Sequence, residues 1–345
     1  MKIARTIFIA VSILATVISL WFVPWRTLVL HLSPLPETVQ AELDQFTGAG
    51  IDGVIVYASL DGKPAQTFVS GWSNRSAKTP VNPQNLFKIA SITKLYVAAL
   101  VAKLADRSEL DLDRTLAEYL PGVAVRIENA DRITLAMLVQ HRSGIPNYSD
   151  VEGYPWFDPP TKEEDVLEFV LDQPADFAPG AEYRYSNANY FLIGMILEAA
   201  LGQDYEQLIR REIIDPLGLK NTYTSMAGFD MDRLMSGYTA GYDDDLKGIN
   251  YTGPMGSMIA TAEDVGLFLL SLHDGTLFSP SAQAIYSSLY EYGHTGLLPG
   301  YSSIARYIPE LDGVVVQFAN KSGERLWWIM EVNYDRVVRI LREED

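Results

Sequence analysis

The sequence predicts an α/β fold in which one antiparallel sheet, flanked by N- and C-terminal helices, is interrupted by an inserted all-α part. Three observations predict it. Strand-like runs sit near both ends of the chain, at residues 53–60 and 66–72 and again at 302–308 and 313–320. Apolar residues between them recur at helical spacing. The chain has 345 residues, 48% of them hydrophobic and 21% charged, which is enough to bury a large core.

The elements follow in order. Residues 6–25 form an uncharged, mostly apolar stretch between Arg5 and Arg26, the length of a membrane-crossing helix. Bulky Trp21, Phe22 and Trp25 stand where a cleavable signal needs small residues, so an uncleaved transmembrane anchor is expected. Lys2 and Arg5 mark its cytoplasmic end, which places the body outside the cytoplasm, on the periplasmic or extracellular side. Residues 1–36 are therefore read as anchor and spacer, closed by Pro34-Leu35-Pro36, and 37–345 as the folded body. Within the body, sheet-bearing parts at 37–90 and 255–345 flank a helical part at 91–254.

A helix is expected at 37–46, then a hairpin whose strands are joined by Asp61-Gly62-Lys63-Pro64. From Ser91 the pattern is helical, with Ile92, Leu95, Ala98 and Leu104 on successive turns. Helices follow at 135–140, 162–171, 190–201 and 205–213, and 241–256, with its Asp243-Asp244-Asp245 run, reads as loop. Thr261-Ala262-Glu263-Asp264 resembles a capping box opening a helix through Leu272. The chain closes with strands 302–308 and 313–320, turned at 309–312, and an amphipathic helix at 324–341.

Composition removes several kinds of chemistry. There is no Cys, which excludes disulfides, thiolate metal sites and cysteine nucleophiles. The net charge of −17 argues against nucleic acid, whose phosphates need a basic footprint. No acid precedes Glu37, so the acidic excess lies wholly in the body, and an anionic substrate would need donors of its own in the site. Gly48-Ala49-Gly50-Ile51-Asp52-Gly53 matches a dinucleotide fingerprint in spacing, but with a helix before it and a strand after it the order is inverted and it reads as a turn. The four histidines, His31, His141, His273 and His294, have no ligand spacing, so neither metal nor cofactor is expected.

Three motifs carry chemistry. Ser91-Ile92-Thr93-Lys94 is the only S-x-x-K in the chain. Alone it also describes a helix-capping serine followed by a solvated lysine. At the start of a buried helix, however, Ser91 and Lys94 share one face, and an amine held away from water loses basicity enough to take the serine proton. Tyr185-Ser186-Asn187 places a phenol and a carboxamide two residues apart in a turn, either to reach one cleft or to pack on helices. Tyr292-Gly293-His294-Thr295-Gly296-Leu297-Leu298-Pro299-Gly300 reads as a strand whose glycine lets a substrate backbone lie against the edge, with Thr295 turned toward the cleft. His294 there is equally a structural histidine at a strand end.

In this order the three motifs resemble those of the serine β-lactamase and penicillin-binding-protein superfamily, in its class C β-lactamase, D-Ala-D-Ala carboxypeptidase and esterase branch. Further stretches carry the resemblance over nearly the whole body: residues 86–120, Ile133-Thr134, His141-Arg142-Ser143-Gly144-Ile145-Pro146, Phe177-Ala178-Pro179-Gly180 and Asp215-Pro216-Leu217-Gly218-Leu219. The resemblance implies the β-lactamase/transpeptidase-like fold and an acyl-enzyme on Ser91. It implies that Lys94 and Tyr185 share general-base and general-acid duties, and that the backbone N–H groups of Ser91 and Leu297 form the oxyanion hole. Asn187, His294, Thr295, Gly296 and Leu297 would bind the substrate, a D-amino-acid peptide, an ester or a β-lactam.

One position departs from the branch. Class C β-lactamases carry Lys where this chain has His294, which is mostly neutral at pH 7. Residues 277–300 contain no Lys or Arg to replace it, and Arg306 is the nearest substitute. A D-peptidase or carboxypeptidase of the cell envelope is therefore expected first, a carboxylesterase second, an effective β-lactamase third and a non-catalytic scaffold last. A His294 that tunes the site would also show as an ionisation of kcat/KM near neutral pH.

Overall fold

The computed structural model describes residues 2–21, 25–160 and 162–343. A six-stranded antiparallel sheet organises the body. Its strands are β1 (Gly53–Leu60), β2 (Gln66–Asn74), β3 (Thr79–Pro80), β4 (Gly293–Leu298), β5 (Tyr301–Ile308) and β6 (Gly313–Ala319), in spatial order β3-β2-β1-β6-β5-β4. Strands from the two ends of the chain meet at the centre, where Val54 pairs with Ala319 and Tyr57 with Val316. β4 is left at the edge, paired only with β5.

β1 does not alternate polar and apolar, because both faces of the sheet are covered. Val54, Val56 and Ala58 pack with Leu43 and Phe46 of α3 (Val39–Gly48) and with Met330 and Val337 of the C-terminal helix Glu324–Glu343. Ile55 and Tyr57 face the opposite way, into a larger core with α4 (Thr93–Asp106), α5 (Asn187–Leu201) and α6 (Ala262–His273). α4 is buried on every side over its first ten residues, so its sequence is apolar all round rather than striped. The terminal layer is closed by a buried fork: Arg336 donates through Nε and Nη2 to the two Glu42 oxygens at 2.8 Å each, and also to the carbonyls of Ser33 and Pro34. Losing one partner of such a pair strands a buried charge.

The expected sheet and terminal helices are present, with differences that have local causes. Thr261 caps α6 by accepting from the Asp264 N–H. The helix expected at 162–171 is confined to Glu163–Leu167, and the one at 205–213 passes at Ile209 into a π turn, Arg210–Ile214, whose Glu212 carbonyl takes the Lys103 ammonium at 2.7 Å. A helix at Pro280–Leu289 was not anticipated. Its start is set by Ser279, which caps the Ala282 N–H, and by Pro280 in the first turn, and it packs on α4.

The expected membrane anchor finds no support in the structure. Among the described residues no helix is long and apolar enough to cross a membrane. The described N-terminal residues form two helices, α1 (Lys2–Trp21) and α2 (Trp25–Leu32), and residues 22–24 of the expected span lie outside the described residues. Ile13, Leu14, Val17 and Ile18 are exposed on the first of these.

Candidate active site

The loop that presents Ser91 is pinned before it turns. Phe87–Lys88 pairs antiparallel with Ile259–Ala260, and Ile89 donates to the Met258 carbonyl. Ala90 then adopts φ +51°, a left-handed conformation uncommon for alanine. The 3₁₀ turn Ala90–Ile92 hands the chain to α4, so Ser91 stands at a helix N-terminus facing the cleft. β4 runs hard against this loop. A Cβ on Gly296 would lie 2.5 Å from the Ile89 carbonyl oxygen and 2.3 Å from Ser303 Oγ, so only glycine lets the edge strand approach.

Lys94, one turn further on, is fully buried and forms no ion pair with a carboxylate among the described residues. Its Nζ lies 2.8 Å from Asn187 Oδ1, 2.6 Å from the Met255 carbonyl oxygen and 3.3 Å from Ser91 Oγ. Burial holds its pKa well below the usual lysine value. A neutral amine has two N–H groups and one lone pair. In that form the two acceptors that carry no proton of their own, Asn187 Oδ1 and the Met255 carbonyl, take the N–H groups and leave the lone pair for the Ser91 hydroxyl; in the charged form Nζ donates to all three.

Tyr185 donates to Ser91 Oγ at 2.8 Å and lies 3.2 Å from Asn187 Oδ1. Burial raises its pKa far above the ordinary phenol value, against a smaller opposing effect of the Ser91 hydrogen bond. The phenol therefore keeps its proton at neutral pH, while burial disfavours the charged form of the amine beside it.

Tyr185 and Asn187 are held by a segment distant in sequence. Ser186 N–H donates to His141 Nδ1 at 3.1 Å, Asn187 N–H to Asn147 Oδ1 at 3.0 Å, and Asn187 Nδ2 to Ser149 Oγ at 3.1 Å. The 141–144 turn is itself fastened to the approach of the tyrosine motif, through Gly180 N–H to the Arg142 carbonyl and Asp176 N–H to the Gly144 carbonyl.

On the opposite wall, His294, Thr295 and Leu297 line a cleft of about 580 Å³ together with Ser91, Tyr185, Asn187, Asp150, Trp156, Tyr183, Glu291 and Arg306. All eight residues singled out from the sequence, Ser91, Lys94, Tyr185, Asn187, His294, Thr295, Gly296 and Leu297, thus fall on or directly behind the walls of one cleft. Arg306 also lines the cleft; it pairs with Gly293 on the neighbouring strand, and its guanidinium lies over the Tyr334 ring at 5.4 Å.

The family model for Beta-lactamase matches residues 39–291, most of the chain. The chain belongs to the beta-lactamase family. It is 28% identical over 271 residues to a beta-lactamase of Pseudomonas fluorescens, covering 75% of this chain and 68% of that protein. It is 31% identical over 195 residues to the D-alanyl-D-alanine-carboxypeptidase/endopeptidase AmpH of Escherichia coli K12, covering 55% of this chain and half of that one. In three dimensions it resembles D-amino acid amidase from Ochrobactrum anthropi SV3, complexed with L-phenylalanine amide, with a TM-score of 0.77 at 23% identity over 90% of this chain and 99% of that one. This last likeness is one of fold.

Several residues of this beta-lactamase-family site carried no signal in the sequence. The Met255 carbonyl is a backbone acceptor, which no residue type announces. Asn147 and Ser149 are bound to each other at 2.7 Å and to Asp150, and look like an ordinary polar turn until the fold sets them under Asn187. His141 was legible only as part of the 141–146 stretch.

Both histidines of the site are neutral at pH 7. Burial, and then the nearby Lys94, lower His141 to about 3 and His294 to about 4. The expected ionisation near neutral pH is therefore displaced well into the acid range. An unfolded histidine titrates near 6.5, so between about pH 6.5 and 4 the unfolded chain binds more protons than the folded one. The stability that the neutral imidazoles permit is complete above pH 6.5 and is lost as pH falls. At pH 5 the loss is about 1–2 kcal/mol for each histidine. Urea unfolding at pH 7 and pH 5 checks this, with His141→Gln flattening the dependence. Equal pH dependence in both proteins would contradict it.

Proposed function

We propose that this chain is a serine hydrolase that forms an acyl-enzyme on Ser91 and acts on D-amino-acid peptides or amides as a peptidase or carboxypeptidase. The observation that carries the proposal is the unpaired, buried Lys94 amine 3.3 Å from Ser91 Oγ, with the protonated Tyr185 phenol 2.8 Å from the same oxygen. Lys94 takes the serine proton as Oγ attacks the acyl carbonyl. The N–H groups of Ser91 and Leu297 stabilise the oxyanion, helped by the start of α4. Tyr185 gives its proton to the leaving amine or alkoxide and regains one from the protonated lysine, and water then attacks the ester with the same groups acting in reverse. The chain's similarity to the D-alanyl-D-alanine-carboxypeptidase/endopeptidase AmpH supports the D-peptide class.

A second reading, carboxylesterase, is favoured by one observation: the wall where a substrate carboxylate would meet a lysine offers a neutral imidazole, whose Nδ1 is occupied by the Thr295 carbonyl. His294→Lys is the discriminating variant. It is expected to raise kcat/KM about tenfold for an acyl-D-Ala-D-Ala peptide over the same peptide amidated at its C-terminus, and to leave a simple ester unchanged. No change in that ratio would show that this wall does not face the carboxylate.

Localisation outside the cytoplasm belongs to the same proposal. Lys2 and Arg5 ahead of the apolar run, and exposed Ile13, Leu14, Val17 and Ile18 on the first helix, support it.

A further inference from the structure

A second lysine is buried close to the nucleophile. Lys88 is only 3% exposed, on the short strand three residues before Ser91. No carboxylate forms an ion pair with it among the described residues. Its Nζ donates to the Ile249 carbonyl at 2.5 Å and reaches the Leu246 carbonyl at 3.5 Å, with the Tyr301 and Tyr251 rings at 5.1 and 5.6 Å. Taking an ammonium out of water is costly, and a surface lysine would serve strand pairing equally well.

The carbonyls it holds belong to a stretch that contributes to the active site twice. Met255, a few residues on, presents the carbonyl that takes the Lys94 amine. Tyr251, between them, donates its hydroxyl at 2.7 Å to the carbonyl of Trp156, which lines the cleft. Residues 241–258 hold little regular structure before Ile259; on the far side of Met255 the chain is tied by Gly256 and Ser257 N–H to the Gly253 carbonyl and by Ser257 Oγ to the Thr224 carbonyl, and on the near side Lys88 ties the 246–249 backbone.

We infer that Lys88 is a positioning residue for acyl transfer: by tying the 246–249 backbone to the nucleophile strand it fixes Met255 behind Lys94 and Trp156 at the cleft wall. It touches no reacting atom. The inference rests on the Ser91 hydrolase reading.

The groups facing Lys88 set its ionisation. Asp245 is the carboxylate that favours its charge, and is itself bound by Ser236 Oγ and by the N–H groups of Gly237 and Lys247. The Lys247 ammonium turns away to the Met231 carbonyl. Tyr251 and Tyr301 are phenols kept protonated by burial, and Tyr301 donates to the Met235 carbonyl. Burial outweighs Asp245 and brings Lys88 down to about 7. Below that pH the clamp is a charge-assisted hydrogen bond, and above it an ordinary one.

The test uses the full chain with p-nitrophenyl acetate, following acylation of Ser91 by intact mass and turnover from pH 5 to 9. In the wild type kcat is expected to fall above about pH 7. Lys88→Met is expected to lower kcat at pH 6 by about tenfold to a hundredfold, the effect of a catalytic amine displaced by around an ångström, with KM changed less than about threefold and no fall above pH 7. Lys88→Arg keeps a charge that does not titrate, so it should restore part of kcat and also lack the alkaline fall. Tyr251→Phe, which cuts only the Trp156 tie, should lower kcat and retain the fall. A wild type with no alkaline fall, or a Lys88→Met protein acylated at the wild-type rate, overturns the inference. If Lys88→Met does not fold, the wild-type profile and the Arg and Tyr251 variants still decide. A wild type never acylated at Ser91 overturns the hydrolase reading instead.

Discussion

Replacing Ser91 by Ala is expected to remove turnover of ester and amide substrates by about 10³- to 10⁶-fold, with KM little changed. The size follows from what is left in the cleft. Ser149 Oγ lies near Asn187 but is taken up by hydrogen bonds, accepting from Asn147 Nδ2 and Asn187 Nδ2 and donating to Asp150 at 3.5 Å. The oxyanion donors and the binding surface survive the change, so a residual rate above that in water is expected. Steady-state kinetics of Ser91→Ala check this. A variant keeping more than about a tenth of wild-type kcat would mean that the acyl group is carried elsewhere.

Lys94→Met is expected to lower kcat by about 10²- to 10⁴-fold, the usual range for a positioned general base. The pH profile should change with it. In the wild type, kcat/KM rises as Lys94 loses its proton, at a pH well below the ordinary lysine range because burial disfavours the ammonium. That limb should be absent from Lys94→Met. The substitution also leaves the Met255 carbonyl without its Lys94 donor, at a cost of about 1–3 kcal/mol of stability, while Asn187 Oδ1 keeps the Tyr185 hydroxyl at 3.2 Å. Tyr185→Phe provides the contrast. The phenol holds its proton, so its loss removes a donor rather than the base, and the acid limb should persist. If the limb instead vanished in Tyr185→Phe and survived in Lys94→Met, the two roles would be exchanged.

The site was legible in the sequence to the extent that it is built from local spacings. Ser91 and Lys94 are three residues apart on a helix, and that spacing alone puts them on one face. The glycine of the 292–300 strand was read as room for a substrate backbone, whereas what lies against Gly296 is the Ile89 carbonyl, from the other end of the chain. Strand pairs at the two ends indicated one sheet, and β1 and β6 do meet at its centre. What could not be read depends on backbone atoms and on burial. The Met255 carbonyl and the φ of Ala90 have no residue signature, and the depressed ionisation of Lys94, Lys88 and His294 appears only once the core closes around them. The helix Pro280–Leu289 was missed because Ser, Gln and Tyr interleave its apolar positions, and packing on α4, rather than periodicity, secures it. At the N-terminus, low charge over residues 6–25 suggested one spanning helix; the described residues there form the helices Lys2–Trp21 and Trp25–Leu32.

The account turns on a covalent acyl group passing through Ser91. The full-length protein should be quenched in acid during turnover of p-nitrophenyl acetate, weighed intact and digested for peptide mapping. The expected result is a protein heavier by one acetyl group, located on Ser91, whose amount decays as substrate runs out and which is absent from Ser91→Ala. Turnover with no adduct, or with the acetyl group on another residue, would contradict it.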